Sequence, residues 1–400
     1  MTFSHLSDDP ADPAFGQDPY PFYDRARKCG DFFFWDSYQM PCATSWRAVD
    51  TLLRDRRFGR ERPVEQTREV PPHLYAYHAF EKHSMLEMEP PNHTRLRGLV
   101  MRAFTSRAVE EMAPTIRNLC RDLIREMQGG DVDLLKSYCE QIPVITIARL
   151  LGVPDDMAPQ LLRWSHDMVA IYQANRTPMI EHRTEAATRA FSDFMATYID
   201  KRRKSPGNDL LTRLIAAEED GARLNTDELI ATTILLLNAG HEATVHSFGN
   251  GIKTLLKHGD PAGRDLLPAN INRTIEETLR FDPPLHMFTR FVYEDVTLFG
   301  HKLSAGQEVG LLLAAANRDP EVYPNANTFD PTRQAKAHTS FGAGVHFCIG
   351  APLARLEMQI GLPMLFEAFP DLAVNGPLRY ADRYHFHGLE RLPVSLGSGG

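Results

Sequence analysis

The stretch from Asn225 to about Lys257 constrains this chain more than any other, because it reads as one long helix that must cross a core. Asn225-Thr226-Asp227-Glu228 has the spacing of a capping box, with Asn225 as N-cap and Glu228 reaching back to the N-cap N–H. At 1.5 Å per residue such a helix is roughly 48 Å long. Ile230 to Leu237 is almost wholly apolar, so the helix is expected to pass through the interior. A polar break follows, Asn238-Ala239-Gly240-His241-Glu242-Ala243-Thr244, with a glycine in mid-helix. Glycine costs about 1 kcal/mol relative to alanine there, so Gly240 needs a compensating role. His241, Glu242 and His246 carry zinc-type donors. The two histidines are five apart, which turns them about 140° from one another around the helix and spoils a metal shared through that spacing.

Elsewhere helical periodicity dominates from about 92 to 280, and strand-like stretches, Val296-Thr297-Leu298-Phe299 and Glu308-Val309-Gly310-Leu311-Leu312, follow. Helices first and strands later imply a mainly α fold with a small β region. Pro-rich patches at 10–21, 71–72, 90–91 and 283–284 are short and punctuate one domain over 1–400. With 44 Lys and Arg against 52 Asp and Glu the net charge is -8, which argues against a nucleic-acid partner. Met1 to Tyr20 holds four aspartates and no apolar run, so neither a secretory signal nor a membrane anchor is expected and the location should be cytoplasmic. The five cysteines show no Cys-x-x-Cys spacing, which argues against a disulfide framework or a structural zinc site.

Cys348 lies in Phe341-Gly342-Ala343-Gly344-Val345-His346-Phe347-Cys348-Ile349-Gly350, and Ala351-Pro352-Leu353 then opens a helix with proline in the first turn, where a missing N–H costs nothing. A sulfur there faces unpaired helix-terminal N–H groups and the positive end of the macrodipole, and both favour thiolate over thiol. The glycines let the backbone turn tightly and approach a flat ligand, while Phe341 and Phe347 supply apolar cover. Such a loop suits a thiolate ligand for a heme iron. A dinucleotide cradle is excluded, because Phe347 stands where the third glycine belongs.

The spacing Phe-x-x-Gly-x-His-x-Cys-x-Gly resembles the heme-thiolate loop of the cytochromes P450. That resemblance implies the cytochrome P450 fold, a single helix-rich domain enclosing heme b (iron protoporphyrin IX), with Cys348 as the thiolate ligand and Phe341 and Gly350 in the cofactor loop. It makes Ala239 and Gly240 the small residues that leave room for O2 and substrate, and Glu242 the acid that feeds protons. The chain departs from the family at the next position, where Ala243 stands in place of the usual threonine and Thr244 follows one step later. One residue turns a helix by about 100°, so Thr244 replaces the hydroxyl only if the helix bulges. Otherwise water or a substrate hydroxyl fills the gap.

Glu277-Thr278-Leu279-Arg280, followed by Arg333, resembles the family's Glu-x-x-Arg brace, a buried charge network behind the heme loop. Glu276 lies four before Arg280, so spacing alone leaves two glutamates open. By the same resemblance His93, Arg97, Arg290 and His346 hold the heme propionates, arginine offering a fork for a carboxylate. Asp18-Pro19-Tyr20-Pro21-Phe22-Tyr23 and Leu53-Arg54-Asp55-Arg56-Arg57-Phe58 also read like the family's opening elements, so the resemblance spans nearly the whole chain.

It implies a soluble bacterial-type monooxygenase that inserts one atom of O2 into a mainly apolar small molecule. No flavin or iron–sulfur motif is present, so electrons are expected from a ferredoxin and an NAD(P)H-dependent ferredoxin reductase. Arg95, Arg102, Arg107 and Arg355 would give the docking face local positive charge. Pro71 to Met88, Leu285 to Phe288 and His385-Phe386-His387 are expected around the pocket; steroids, terpenoids, macrolides and aromatics all fit their composition. A monomer is expected. Two other readings are a P450 working by peroxide or oxidative coupling, which Ala243 motivates, and a non-catalytic heme carrier or sensor, for which Glu242 is superfluous.

Overall fold

The computed structural model describes residues 2–397 except 67–68, 128, 173–175, 220–221, 261 and 335–336. The helices that position the site are α1 (Trp46–Arg54), α2 (Asn92–Ala103), α3 (Ala113–Glu126), α4 (Gln141–Leu150), α5 (Ala158–Val169), α6 (Pro178–Lys204), α7 (Thr226–His258), α8 (Ile271–Phe281) and α9 (Ala351–Ala368). The capping box at the start of α7 is formed. Glu228 N donates to Asn225 Oδ1 at 2.9 Å and Asn225 N donates to Glu228 Oε2 at 3.0 Å, satisfying two otherwise orphaned donors. From there α7 runs through the core, packed against α4, α5, α6, α8 and α9. Gly240 lies against α4. A Cβ on it would sit 3.1 Å from Ile147 Cγ1, so the absent side chain lets the two helices approach, which offsets its helix penalty.

The main sheet corrects the expectation of strands only late in the chain. Its order is β1 (His5–Leu6), β2 (Phe32–Trp35), β3 (Met40–Ala43), β6 (Glu308–Leu312), β5 (Met287–Val292) and β4 (Phe58–Gly59), so both ends of the sequence build it. β2 and β3 pair antiparallel, Phe32 opposite Ala43 and Trp35 opposite Met40, while β3 meets β6 in parallel through Cys42 and Gly310. A Cβ on Gly310 would fall 2.6 Å from Cys42 Sγ, so this contact needs glycine. Phe32-Phe33-Phe34-Trp35 is a short apolar run, which periodicity cannot assign to helix or strand. Val296–Leu298 is a strand as expected, paired with His301–Leu303 outside this sheet. Among the described residues no helix is long and apolar enough to cross a membrane.

One charge network ties α8 to the segment that leads into the Cys348 loop. Arg280 Nε and Nη2 donate to the two oxygens of Glu277, each at 2.7 Å, and both side chains are buried. Arg280 Nη1 donates to Asn317 O and Ala326 O, and Nη2 to Thr328 O. Arg333 adds an ion pair with Glu277 at 3.5 Å. The choice left open by spacing is thereby resolved: Glu277 pairs with Arg280, whereas Glu276 holds Arg355 at 2.6 and 2.8 Å. Removing one member leaves the other charge buried and unpaired. Arg280→Ala and Glu277→Ala should each destabilise the protein by about 3–5 kcal/mol, read from urea denaturation midpoints; native midpoints in both would reduce the pair to a surface contact.

Candidate active site

Cys348 sits where the 341–350 loop meets α9. Cys348 N donates to Phe341 O at 2.9 Å and Gly342 N to Thr339 O at 2.8 Å, which closes the loop on itself. Gly344 has φ +66°, and a Cβ there would lie 2.3 Å from the backbone oxygen of Leu53 in α1, so both its conformation and its contact exclude a side chain. The N–H groups of Gly350 and Ala351 point at Sγ, as the helix start predicts. Their effect on the thiol is smaller than expected from sequence. Burial pushes the Cys348 thiol up, and the two N–H groups, Arg97 and Arg355 only partly oppose it, so the cysteine is not a free thiolate by itself. A cation bound to sulfur would reverse that balance. Gly350 contributes its N–H more than its size, since a Cβ on it would be an ordinary 3.8 Å from Sγ. Phe341 is half-buried beneath the Arg355 guanidinium, and Phe347 is exposed.

His93, Arg97, Arg290 and His346 are brought together beside this loop. The His93 and His346 rings lie 4.3 Å apart, and Arg97 Nη2 donates to Phe347 O at 2.7 Å. Arg290 is buried, and its pKa is lowered to about 9 by burial and by the nearby Arg60. His93 is pushed down to about 4, first by burial and then by His346 and Arg97. Sequence reasoning missed Arg60, which joins the group from the end of β4 and has no family-like spacing to mark it. Arg60 Nη2 pairs with Glu87 at 2.7 Å, and Arg60 N and His346 Nε2 bond Glu89 at 2.7 and 2.9 Å. Burial would raise the Glu89 carboxyl, but His346, Arg60 N–H and Arg290 hold it below its ordinary range. The pocket therefore already favours carboxylates, and two of its polar atoms, Arg60 Nε and His93 Nδ1, are buried without a partner among the described residues.

On α7 the polar break separates two faces. Ala239 is exposed and Gly240 and Ala243 are half-buried, although the helix is buried on either side of them, so this stretch opens on internal space. Thr244 is buried, and α7 is regular α-helix through 239–244, so no bulge carries Thr244 towards the open face. Glu242 points elsewhere again. Only 4% exposed, it lies 3.2 Å from His166 Nε2, 3.9 Å from His241 Nε2 and 3.6 Å from His246 Nε2. Burial works against the Glu242 carboxylate, but the neighbouring imidazoles hold its pKa well below the usual carboxylate range, while burial lowers that of His166 and His241. His166 belongs to α5, far upstream, and no local pattern marked it.

Some expected pocket residues are core instead. His286 is wholly buried and its Nδ1 pairs with Tyr23 Oη at 2.7 Å; Met287 packs with Phe33 and Trp35. His387 is buried against Asp282. Of the expected residues, His385 and Phe386 line a cavity, together with Glu242 and with Val169, Tyr172 and Arg383, which were not expected there. The arginine face is less positive than its count implies, because Arg95 pairs with Glu228, Arg107 with Glu111 and Arg355 with Glu276.

The family model for cytochrome P450 matches residues 56–261 and 270–373. The chain is a cytochrome P450. It is 41% identical to vitamin D(3) 25-hydroxylase of Pseudonocardia autotrophica over 78% of each chain, and 35% identical to cytochrome P450 monooxygenase PikC of Streptomyces venezuelae over 95% of this chain and 91% of that one. The structure of P450BioI in complex with hexadec-9Z-enoic acid ligated acyl carrier protein superposes with a TM-score of 0.90 at 30% identity, over 96% of this chain and 99% of the other. This P450 is thus a monooxygenase, an oxidoreductase with the fold the resemblance implied, and its cofactor is heme b ligated by a cysteine thiolate. The residues present fit that group: a sulfur at a helix start, a surplus of buried cationic donors and an open stripe of small residues on α7. The Gly344 contact is a sharp test of the loop. Gly344→Ala should cost about 1–3 kcal/mol in stability and lower the Soret absorbance per mole of purified protein; wild-type values for both would show that the loop tolerates the strain.

Proposed function

We propose that the chain, as one catalytic domain over 1–400, hydroxylates a mainly apolar small molecule with Cys348 as the proximal heme ligand. The observation that carries this reading is the half-buried Cys348 Sγ facing the Gly350 and Ala351 N–H groups at the start of α9. When bound, heme supplies the O2 reduction and C–H oxygenation that no side chain performs. Phe341 and the Gly350 N–H shape the proximal side. His93, Arg97, Arg290 and His346, with Arg60, would hold the heme propionates, and Glu277, Arg280 and Arg333 brace the loop from behind.

Ala239 and Ala243 form the small-residue face that would leave room for O2 and substrate, while Gly240 lets α4 approach beside them. Glu242, a carboxylate at rest, takes a proton from solvent through the half-exposed His166, 3.2 Å away, and passes it on. Since Ala243 has no hydroxyl and Thr244 is turned into the packing, the last donor is water or a hydroxyl of the substrate. An apolar substrate accords with a relative named for vitamin D(3) and a neighbour in complex with hexadec-9Z-enoic acid ligated acyl carrier protein. Electrons come from a ferredoxin and its NAD(P)H-dependent reductase.

Cys348→Ala should abolish the red-shifted ferrous–CO band that a thiolate ligand produces, while the folded protein persists; retention of that band would move the ligand to another cysteine. A second experiment measures product formed per NAD(P)H consumed with ferredoxin and reductase. Thr244→Ala should leave this coupling unchanged, and Ala243→Thr should raise it for a substrate analogue that lacks a hydroxyl. Strong uncoupling by Thr244→Ala alone would assign the proton-donating hydroxyl to Thr244 instead.

A further inference from the structure

Beside the open face of α7, a group of polar side chains, His166 on α5 and the buried His241 and Glu242 on α7, lacks closed hydrogen bonds. His241 Nδ1 lies 2.9 Å from Leu237 O, and a carbonyl can only accept, so Nδ1 carries the ring hydrogen and Nε2 presents a lone pair. That Nε2 is 3.9 Å from Glu242 Oε1, and His166 Nε2 is 3.2 Å from the same oxygen. His241 and Glu242 are 3% and 4% exposed, yet neither His241 Nε2 nor Glu242 Oε1 has a hydrogen-bond partner among the described residues. Two acceptors thus face one another away from water, an arrangement that a cation between them stabilises.

We propose that His166, His241 and Glu242 form a site for a divalent transition-metal ion of the zinc type, separate from the heme iron. Their donor atoms all lie within 4.8 Å of one another. Two imidazoles and a carboxylate are a common zinc set, and donors at about 2.0–2.2 Å on a tetrahedral ion stand about 3.3 Å apart. The spacing closes with a shift of roughly an ångström, which His166 can supply because its side chain is 44% exposed on α5. The Leu237 carbonyl fixes the His241 tautomer, as a carbonyl commonly does for a metal-bound imidazole. His246 Nε2 stands 3.6 Å from the other oxygen, Oε2. His241 and His246 do not share the ion, in keeping with their spacing of five; α5 supplies the second imidazole. A similar cluster, Asp282, His286 and His387, lacks this demand, because Lys253 Nζ and Tyr380 Oη already donate to Asp282 at 2.7 and 2.6 Å.

The functional consequence rests on the proposed role of Glu242: the ion takes its carboxylate out of proton delivery and links α5 to α7, so it inhibits turnover reversibly. Heme-loaded protein stripped with chelator is titrated with zinc chloride by calorimetry near neutral pH. The expected result is one saturable zinc ion per chain, weakened about tenfold or more by His166→Ala and by Glu242→Gln, and unchanged by His5→Ala at the exposed His5–Asp36 pair. Zinc-edge absorption should show two imidazoles. Absence of saturable binding, or equal affinity in the His166 and Glu242 variants, overturns the site. Zinc that binds there without slowing NAD(P)H-driven product formation leaves the site standing and overturns the role of Glu242 in proton delivery.

Discussion

Arg280 brings five guanidinium N–H groups into a region where it is only 2% exposed, and every one of them has an acceptor. The rest of the proximal side depends on that satisfaction. Two N–H groups go to Glu277, one turn back on α8, and three go to carbonyls of the segment between β6 and the Cys348 loop. The contact continues through side chains. Asn317, whose carbonyl accepts from Arg280, uses its Oδ1 for Thr339 N and Oγ1 and its Nδ2 for Ser340 Oγ, and Ser340 Oγ in turn donates to Leu279 O on α8. Phe341 is the next residue, and its carbonyl receives Cys348 N. A buried ion pair adds little stability by itself, because desolvation consumes much of its attraction. Its value here is positional: each bond has one geometry, so the sulfur is fixed relative to α8.

Charge around the cofactor site is arranged by burial as much as by sequence. Arg290 and His93 are both driven towards neutrality by desolvation, and Cys348 is driven towards the thiol. All three are groups whose charged forms need a counter-charge that the chain alone supplies only in part. Glu87 serves as the counter-ion of Arg60, and Glu89 is hydrogen-bonded to His346. An acidic iron porphyrin fits such a place on both sides, offering a cation to the sulfur and carboxylates to the arginines. On α7, Ala243 leaves an open face where a hydroxyl is usual, while Glu242, one residue earlier, is directed to three imidazoles.

The Cys348 loop, the start of α9, the capping box and the extent of α7 were legible because each depends on neighbours within a few residues. Asn225 and Glu228 satisfy each other's N–H groups whatever surrounds them, and Pro352 suits only a first turn. Strands β2 and β3 were not legible, since Phe32-Phe33-Phe34-Trp35 has no alternation and its partners lie partly beyond residue 300. The Cys348 ionisation was read too low because helix-end N–H groups are visible in the sequence and the depth of burial is not.

By itself the sequence determined the chemical class, for a thiol between glycines and a helix start, with an acid in a small-residue break on a long helix, has few other uses. The tertiary structure decided which residues share a space. It paired Glu277 with Arg280 and gave Glu276 to Arg355, added Arg60 to the cationic cluster, spent His286 and His387 on the core, and brought His166 of α5 to Glu242 of α7. Those pairings join segments far apart in the chain, and they are set by which helix faces pack together. Packing is a property of the whole core, so no local spacing records it.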